Sequence, residues 1–128
     1  MIIDTSAILA VFFKEPGYEA ILDSLIGAET VGIGAPTLAE TAIVLEARCG
    51  DQALGWLQRF VDEFGLAEIA FGPTHRRVAV AAYARYGRGR HEAGLNFGDC
   101  LTYAVARLAG QPLLCVGAHF SKTDLELV

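Results

Sequence analysis

Apolar positions recur along this chain in two rhythms, one fitting short buried strands and the other fitting one-sided helices. Residues 1–3 form an apolar, β-favouring run that stops at Asp4, and Ala7, Ile8, Leu9, Ala10, Val11 and Phe12 follow at once. That order predicts a buried strand turning directly into a helix, with Thr5 or Ser6 capping the helix start. Pro16 and Gly17 stop the helix. A second helix is expected over residues 18–26, with Ile21, Leu22, Leu25 and Ile26 on one face.

Residues 30–35 (T-V-G-I-G-A) alternate apolar and small side chains and predict a second strand. Pro36 then suits a first helical turn, and Leu38, Ala42, Leu45 and Cys49 recur at helical spacing up to Gly50. Asp51 is placed to cap another helix through Leu54, Leu57, Phe60, Val61 and Phe64, closed by Gly65. Residues 66–71 predict a third strand and residues 73–86 a helix ended by Gly87. Residues 87–94 (G-R-G-R-H-E-A-G) read as a surface loop. Asn96 caps a final helix through Leu101, Val105 and Leu108 to Gly110, and residues 112–116 form an apolar strand. The tail from His119 onward carries no clear pattern.

Strands separated by helices require crossover connections. The expected fold is therefore α/β: a central parallel sheet of four or five strands flanked by α-helices. The 128 residues suit one domain spanning 1–128, with no repeat, linker or low-complexity segment. At 53% apolar the chain has material for a core without disulfides. Cys49, Cys100 and Cys115 are odd in number and widely spaced, as expected of free thiols in a reducing cytoplasm. No apolar run approaches the roughly 20 residues needed to span a bilayer, so no membrane association is expected.

The formal net charge of −5 argues against gripping nucleic acid through bulk electrostatics. It is compatible with a nucleic-acid substrate if the acids gather at a metal site and the bases lie beside it. Asp4 stands at a predicted strand tip. Glu40 and Asp99 fall in the first turns of two predicted helices. In parallel sheets ligands collect at the carboxyl ends of the strands, where following helices begin, so the three carboxylates can converge there. Converging carboxylates repel, and a cation relieves them. Oxygen donors alone point to Mg²⁺ or Mn²⁺, which can activate a water for phosphodiester attack. The plainer alternatives are that Asp4 only caps a helix and that Asp99 only complements a helix dipole. Glu40 has apolar neighbours on both sides, where an isolated carboxylate would be costly to desolvate.

The opening I-I-D-T-S-A resembles the start of PIN domains. The stretch A-P-T-L-A-E-T-A-I-V-L-E-A-R places Glu40 at that family's helical glutamate, and the stretch ending L-N-F-G-D-C-L-T-Y-A-V-A places Asp99 at its third acid. The closing G-Q-P-L-L-C-V-G-A-H-F-S-K-T-D is similar to its last strand region. Taken together these blocks resemble the VapC-type toxin branch of type II toxin–antitoxin systems. The resemblance implies a PIN fold, endoribonuclease activity with Mg²⁺ or Mn²⁺, Asp4, Glu40 and Asp99 as catalytic acids, and Ser6 supporting Asp4. It also implies an RNA substrate, a cognate antitoxin and a homodimer. One departure stands out: members of that family usually carry an Asp just before the Phe of the last block, where this chain has His119. Asp124 is the nearest candidate for a fourth metal ligand, and Asn96 is a candidate supporting residue beside Asp99.

Arg85, Arg88, Arg90 and His91 lie just before the helix bearing Asp99, as a mobile basic loop suited to an RNA backbone would. Tyr83, Tyr86 and Phe97 are candidates for base stacking, with core packing expected for at least two of them. An aspartyl-phosphate phosphatase needs an acid two residues after Asp4, where this chain has Ser6. A receiver domain needs paired acids near its start, and a dinucleotide-binding fold needs G-x-G-x-x-G after the first strand. Two other readings stay open: a DNA-directed nuclease, and a catalytically weak PIN domain that binds RNA or an antitoxin.

Overall fold

The computed structural model describes residues 1–128. In chain order it runs β1 (Ile2–Ile3), α1 (Thr5–Phe12), α2 (Tyr18–Gly27), β2 (Gly32–Gly34), α3 (Ala35–Cys49), α4 (Gln52–Glu63), β3 (Ala67–Ile69), α5 (Pro73–Tyr86), α6 (Phe97–Ala109) and β4 (Leu113–Leu114), then a 3-10 turn at Phe120–Lys122. The four strands are all parallel, in the order β3-β2-β1-β4. A single bridge from Leu113 to Leu127 lays the tail alongside β4. No helix is long and apolar enough to cross a membrane.

Strand periodicity assigns the two faces of the sheet. Ile3, Ile33 and Leu114 point into one core with Ala7, Ile8, Ile21, Leu25, Leu45, Leu57 and Phe60, so α1 to α4 cover that face. Ile2 and Leu113 point into the other, with Ala79, Ala82, Tyr86, Leu95, Tyr103 and Val105 from α5, α6 and the loop between them. The register Ile2↔Leu113 and Ile3↔Leu114 keeps each pair on one face. Gly32 and Gly34 alternate with Ile33 and therefore face α6. A Cβ on Gly34 would stand 2.8 Å from Val105 Cγ2, so glycine is what lets α6 lie directly on β2.

Two end signals differ from expectation. Asp4, rather than Thr5 or Ser6, is the N-cap of α1, and its carboxylate accepts the Ser6 N–H. Asp51 takes helical dihedrals and makes no side-chain cap bond. The strands are shorter than their apolar runs, because only the residues that meet a neighbouring strand in register form ladder bonds.

Candidate active site

Asp4 leaves the carboxyl end of β1, where its N–H donates to Leu114 O at 3.0 Å. The residue is only 6% exposed. Its Oδ2 accepts the Ser6 N–H at 3.0 Å and the Ser6 hydroxyl at 2.7 Å, and its Oδ1 accepts the Thr102 hydroxyl at 2.9 Å. Ser6 Oγ in turn accepts the Val116 N–H at 2.9 Å, tying the cap to the end of β4. Ser6 thus holds one oxygen of Asp4 with two donors, and Thr102 holds the other.

Thr102 lies one turn beyond Asp99 on α6, so both residues face the β1 tip. Asp99 sits in a reciprocal capping box: its N–H donates to Asn96 Oδ1 at 2.8 Å, and its Oδ2 accepts the Asn96 N–H at 3.1 Å. The same Oδ2 meets His119 Nδ1 at 3.0 Å. Asp4 and Asp99 both stand close enough to Cys115 to act on its thiol. Burial first, then these two carboxylates, push that thiol up to about 11. Burial and Asp99 push Cys100 up to about 11 as well. All three cysteines are free.

Glu40 approaches from α3. Its Oε1 accepts the Thr5 hydroxyl at 2.7 Å, next in sequence to Asp4. Its Oε2 lies against the first turn of α6, where a Cβ on Gly98 would be 2.5 Å away. The expectation that Glu40 is a desolvated carboxylate is corrected: Glu40 is exposed, and the buried acid is Asp4. The apolar neighbours misled because Thr41 and Leu45 carry the buried face of α3, while Ala39, Glu40 and Ile43 look outward.

Four threonines link Asp4 to Glu40, and of these the sequence singled out only Thr5, as a helix-cap candidate. Thr37, Thr41 and Thr102 are at most 3% exposed, and Thr5 is 7% exposed. Thr37 and Thr102 hydroxyls meet at 2.9 Å, Thr5 and Thr41 meet at 3.0 Å, and Thr41 donates to Thr37 O at 2.8 Å. A carboxylate only accepts, so Thr102 gives its proton to Asp4, and Thr37 gives its own to Thr102. The available signal was Thr37 and Thr41 at i, i+4 on the inner face of α3, with Thr102 at i+3 from Asp99.

The structure keeps other candidates elsewhere. Asp124 is not part of this corner. Its Oδ1 accepts the Tyr103 hydroxyl at 2.6 Å, and Arg85 and Arg107 lie 3.6 and 3.9 Å from its Oδ2. The Tyr103 bond is the largest cause holding the Asp124 carboxyl below the usual range. Arg85 is committed to that pair and stacks over Tyr86. Arg90 stacks over Tyr83, and His91 Nδ1 accepts the Ala93 N–H at 3.0 Å. The expected mobile loop is instead pinned: Arg88 N–H donates to Leu95 O, Leu95 N–H to Tyr86 O, and Ala93 and Leu95 are buried. Of the three aromatics only Tyr86 is in the core, while Tyr83 is 42% and Phe97 79% exposed.

Asp4, Asp99 and Glu40 thus border one corner, and none of them faces a lysine or arginine at ion-pair distance. Their donor atoms are hard oxygens, which suits a divalent cation of the Mg²⁺ or Mn²⁺ type. The corner is not closed on one point, since no three His, Cys, Asp or Glu side chains surround a common position.

Residues 1–126 match the PIN domain family, and the chain belongs to that family. Among its relatives are VapC ribonucleases. Ribonuclease VapC36 of Mycobacterium tuberculosis is 47% identical over 127 residues, covering 98% of this chain and 91% of that protein. The fold is that of solved VapC structures. M. tuberculosis VapC20, described as a sarcin-ricin loop cleaving toxin, matches with a TM-score of 0.80 at 19% identity over 99% of this chain and 97% of its own. A toxin–antitoxin complex from Klebsiella pneumoniae matches with a TM-score of 0.73 at 16% identity, over 99% of this chain and 95% of that one.

Proposed function

We propose that the chain is an endoribonuclease, the toxin component of a type II toxin–antitoxin system, which hydrolyses RNA phosphodiester bonds with Mg²⁺ or Mn²⁺ held by Asp4, Asp99 and Glu40. The observation that carries this reading is the Asp4 carboxylate, buried, oriented by Thr102 and Ser6, and matched by no basic side chain. When bound, such an ion activates a water and offsets charge on the phosphate during in-line attack. The chain's own residues supply orientation. Thr102 and Ser6 hold Asp4, Thr5 holds one oxygen of Glu40, and the capping box with Asn96 holds Asp99. The RNA backbone is assigned to Arg88 and Arg90, neither of which forms a side-chain ion pair, whereas Arg85 pairs with Asp124 and His91 accepts the Ala93 N–H.

Two partners belong to the same reading. Ile43, Val80, Tyr83 and Phe97 are exposed across α3, α5 and α6, with Phe97 and Leu101 shared by two adjoining grooves of about 390 and 400 Å³. A second copy covers this face in a homodimer. A cognate antitoxin presents a basic side chain to the acidic corner. Residues 1–128 act as one PIN unit, and the free thiols suit a reducing cytoplasm.

The test is cleavage of labelled RNA and DNA by the partner-free chain with Mg²⁺, Mn²⁺ or chelator, alongside Asp4→Asn and Asp99→Asn. Metal-dependent cutting of RNA, lost in both variants, is expected. Cutting that persists in chelator or in both variants overturns the metal mechanism. A second reading, an RNA- or antitoxin-binding module with weak turnover, is favoured by the open arrangement of the acids. It predicts RNA retention without cleavage at saturating Mn²⁺.

A further inference from the structure

We propose that His119 is a positioning residue for Asp99: its Nδ1–H holds Asp99 Oδ2 so that Oδ1 is presented, preformed, to the divalent ion. The inference rests on the metal reading above. Asp99 Oδ2 has two lone pairs, and both are used, one by the Asn96 N–H at 3.1 Å and one by His119 Nδ1 at 3.0 Å. A carboxylate cannot donate, so Nδ1 carries the proton of this contact. Oδ1 accepts no hydrogen bond from the protein. Two donors on one oxygen fix the rotation of the carboxylate, and with it the direction of the other oxygen.

The imidazole is delivered by an anchored segment. His119 precedes a 3-10 turn whose first residue, Phe120, is 3% exposed in the core on the α5 and α6 side. Ser121 Oγ donates to Ala118 O at 2.7 Å, and Thr123 Oγ1 donates to Phe120 O at 2.7 Å, closing the turn on both sides of the ring. His119 is itself half exposed, with 51% of its side chain accessible against 15% for Asp99. A pair with one partner so open adds little to folding. Its effect falls instead on the group it orients, as with the outer partners of metal ligands, whose loss weakens metal binding by roughly 10- to 100-fold.

Mn²⁺ binding to the full chain, read from the EPR signal of the free ion, separates the possibilities in wild type, His119→Ala, His119→Asn and His119→Gln. The Asn amide nitrogen overlays Nδ1, while the Gln amide nitrogen overlays Nε2. His119→Ala is expected to weaken Mn²⁺ binding about tenfold or more, and His119→Asn to restore it to within about threefold. His119→Gln should resemble His119→Ala. Thermal midpoints in chelator should stay within a few degrees of wild type in all three, showing that the effect is not unfolding. Binding by His119→Ala within twofold of wild type, or rescue by Gln and not by Asn, overturns the positioning role while leaving the metal reading intact. Wild type that binds no Mn²⁺ at millimolar concentration overturns both.

Discussion

Thr102→Val removes one hydroxyl from a side chain only 1% exposed and leaves its volume nearly unchanged. The hydroxyl donates to Asp4 Oδ1 at 2.9 Å and accepts from Thr37 at 2.9 Å. Losing a hydrogen bond to a charged acceptor costs about 1.5–3 kcal/mol. The Thr37 hydroxyl, 3% exposed, is then left without its acceptor, which costs roughly a further 1–3 kcal/mol unless it rotates to another partner. The added methyl group returns up to about 1 kcal/mol. The net destabilisation is about 2–4 kcal/mol, which for a chain of this length lowers the melting midpoint by roughly 10 °C. Urea unfolding followed by circular dichroism measures it, with an unchanged m-value showing that only stability moved. In a Thr37→Val background no donor is stranded, so the same change should cost about 1–2 kcal/mol less. A cost under about 0.5 kcal/mol, or equal costs in both backgrounds, would refute the proton order assigned to this chain of hydroxyls.

Gly98→Ala brings a Cβ to 2.5 Å from Glu40 Oε2, the free end of an exposed side chain that moves more easily than the helix. Stability should hold or rise by up to about 1 kcal/mol from helix propensity, while RNA cleavage falls about 10- to 100-fold; unchanged cleavage would detach Glu40 from the reaction. The thiols of Cys100 and Cys115 are both raised from 9.0 to about 11. Their unfolded forms ionise first, so the stability they contribute is present below pH 9 and is lost as pH climbs towards 11. Urea midpoints from pH 8 to 11 should decline, and Cys100→Ala with Cys115→Ala should flatten that decline. Tyr103→Phe deletes the 2.6 Å bond to Asp124. Because Asp124 is about one-third exposed, the loss should be about 1 kcal/mol or less. Carboxyl NMR should then show Asp124 titrating nearer the ordinary range, shrinking the stability it adds above that range and loses as pH falls.

Much of the architecture could be read in short stretches of chain. The helix expected over residues 73–86 is observed at Pro73–Tyr86, because proline at the first turn and glycine after the last are local signals. Asn96 was legible as a cap for the same reason. Errors came where a side chain's surroundings are supplied from elsewhere. Apolar neighbours of Glu40 did not imply burial, since adjacent helical residues point 100° apart. Core packing is expected for at least two of Tyr83, Tyr86 and Phe97, yet only Tyr86 is buried, because the core between α5 and α6 is filled by Ala79, Ala82, Tyr86 and Tyr103. Asp124 was near His119 in sequence, yet the closing turn carries it to Tyr103 and two arginines. The arginine-rich segment reads as a mobile loop in the sequence, whereas the buried Ala93 and Leu95 anchor it.

By itself the sequence determined the order of strands and helices, the α/β class and the three acids Asp4, Glu40 and Asp99 as candidates. Propensity, capping and hydrophobic period act within one or two turns of chain, so they survive without a structure. Only the tertiary structure decided that Asp4 is the buried acid, that Thr102, 98 residues away, donates to it, and that His119 meets Asp99. Those contacts depend on how β1, α3, α6 and the final turn pack over one sheet edge. A hydrogen bond needs its atoms within about 3 Å, and no periodicity along the chain encodes that distance.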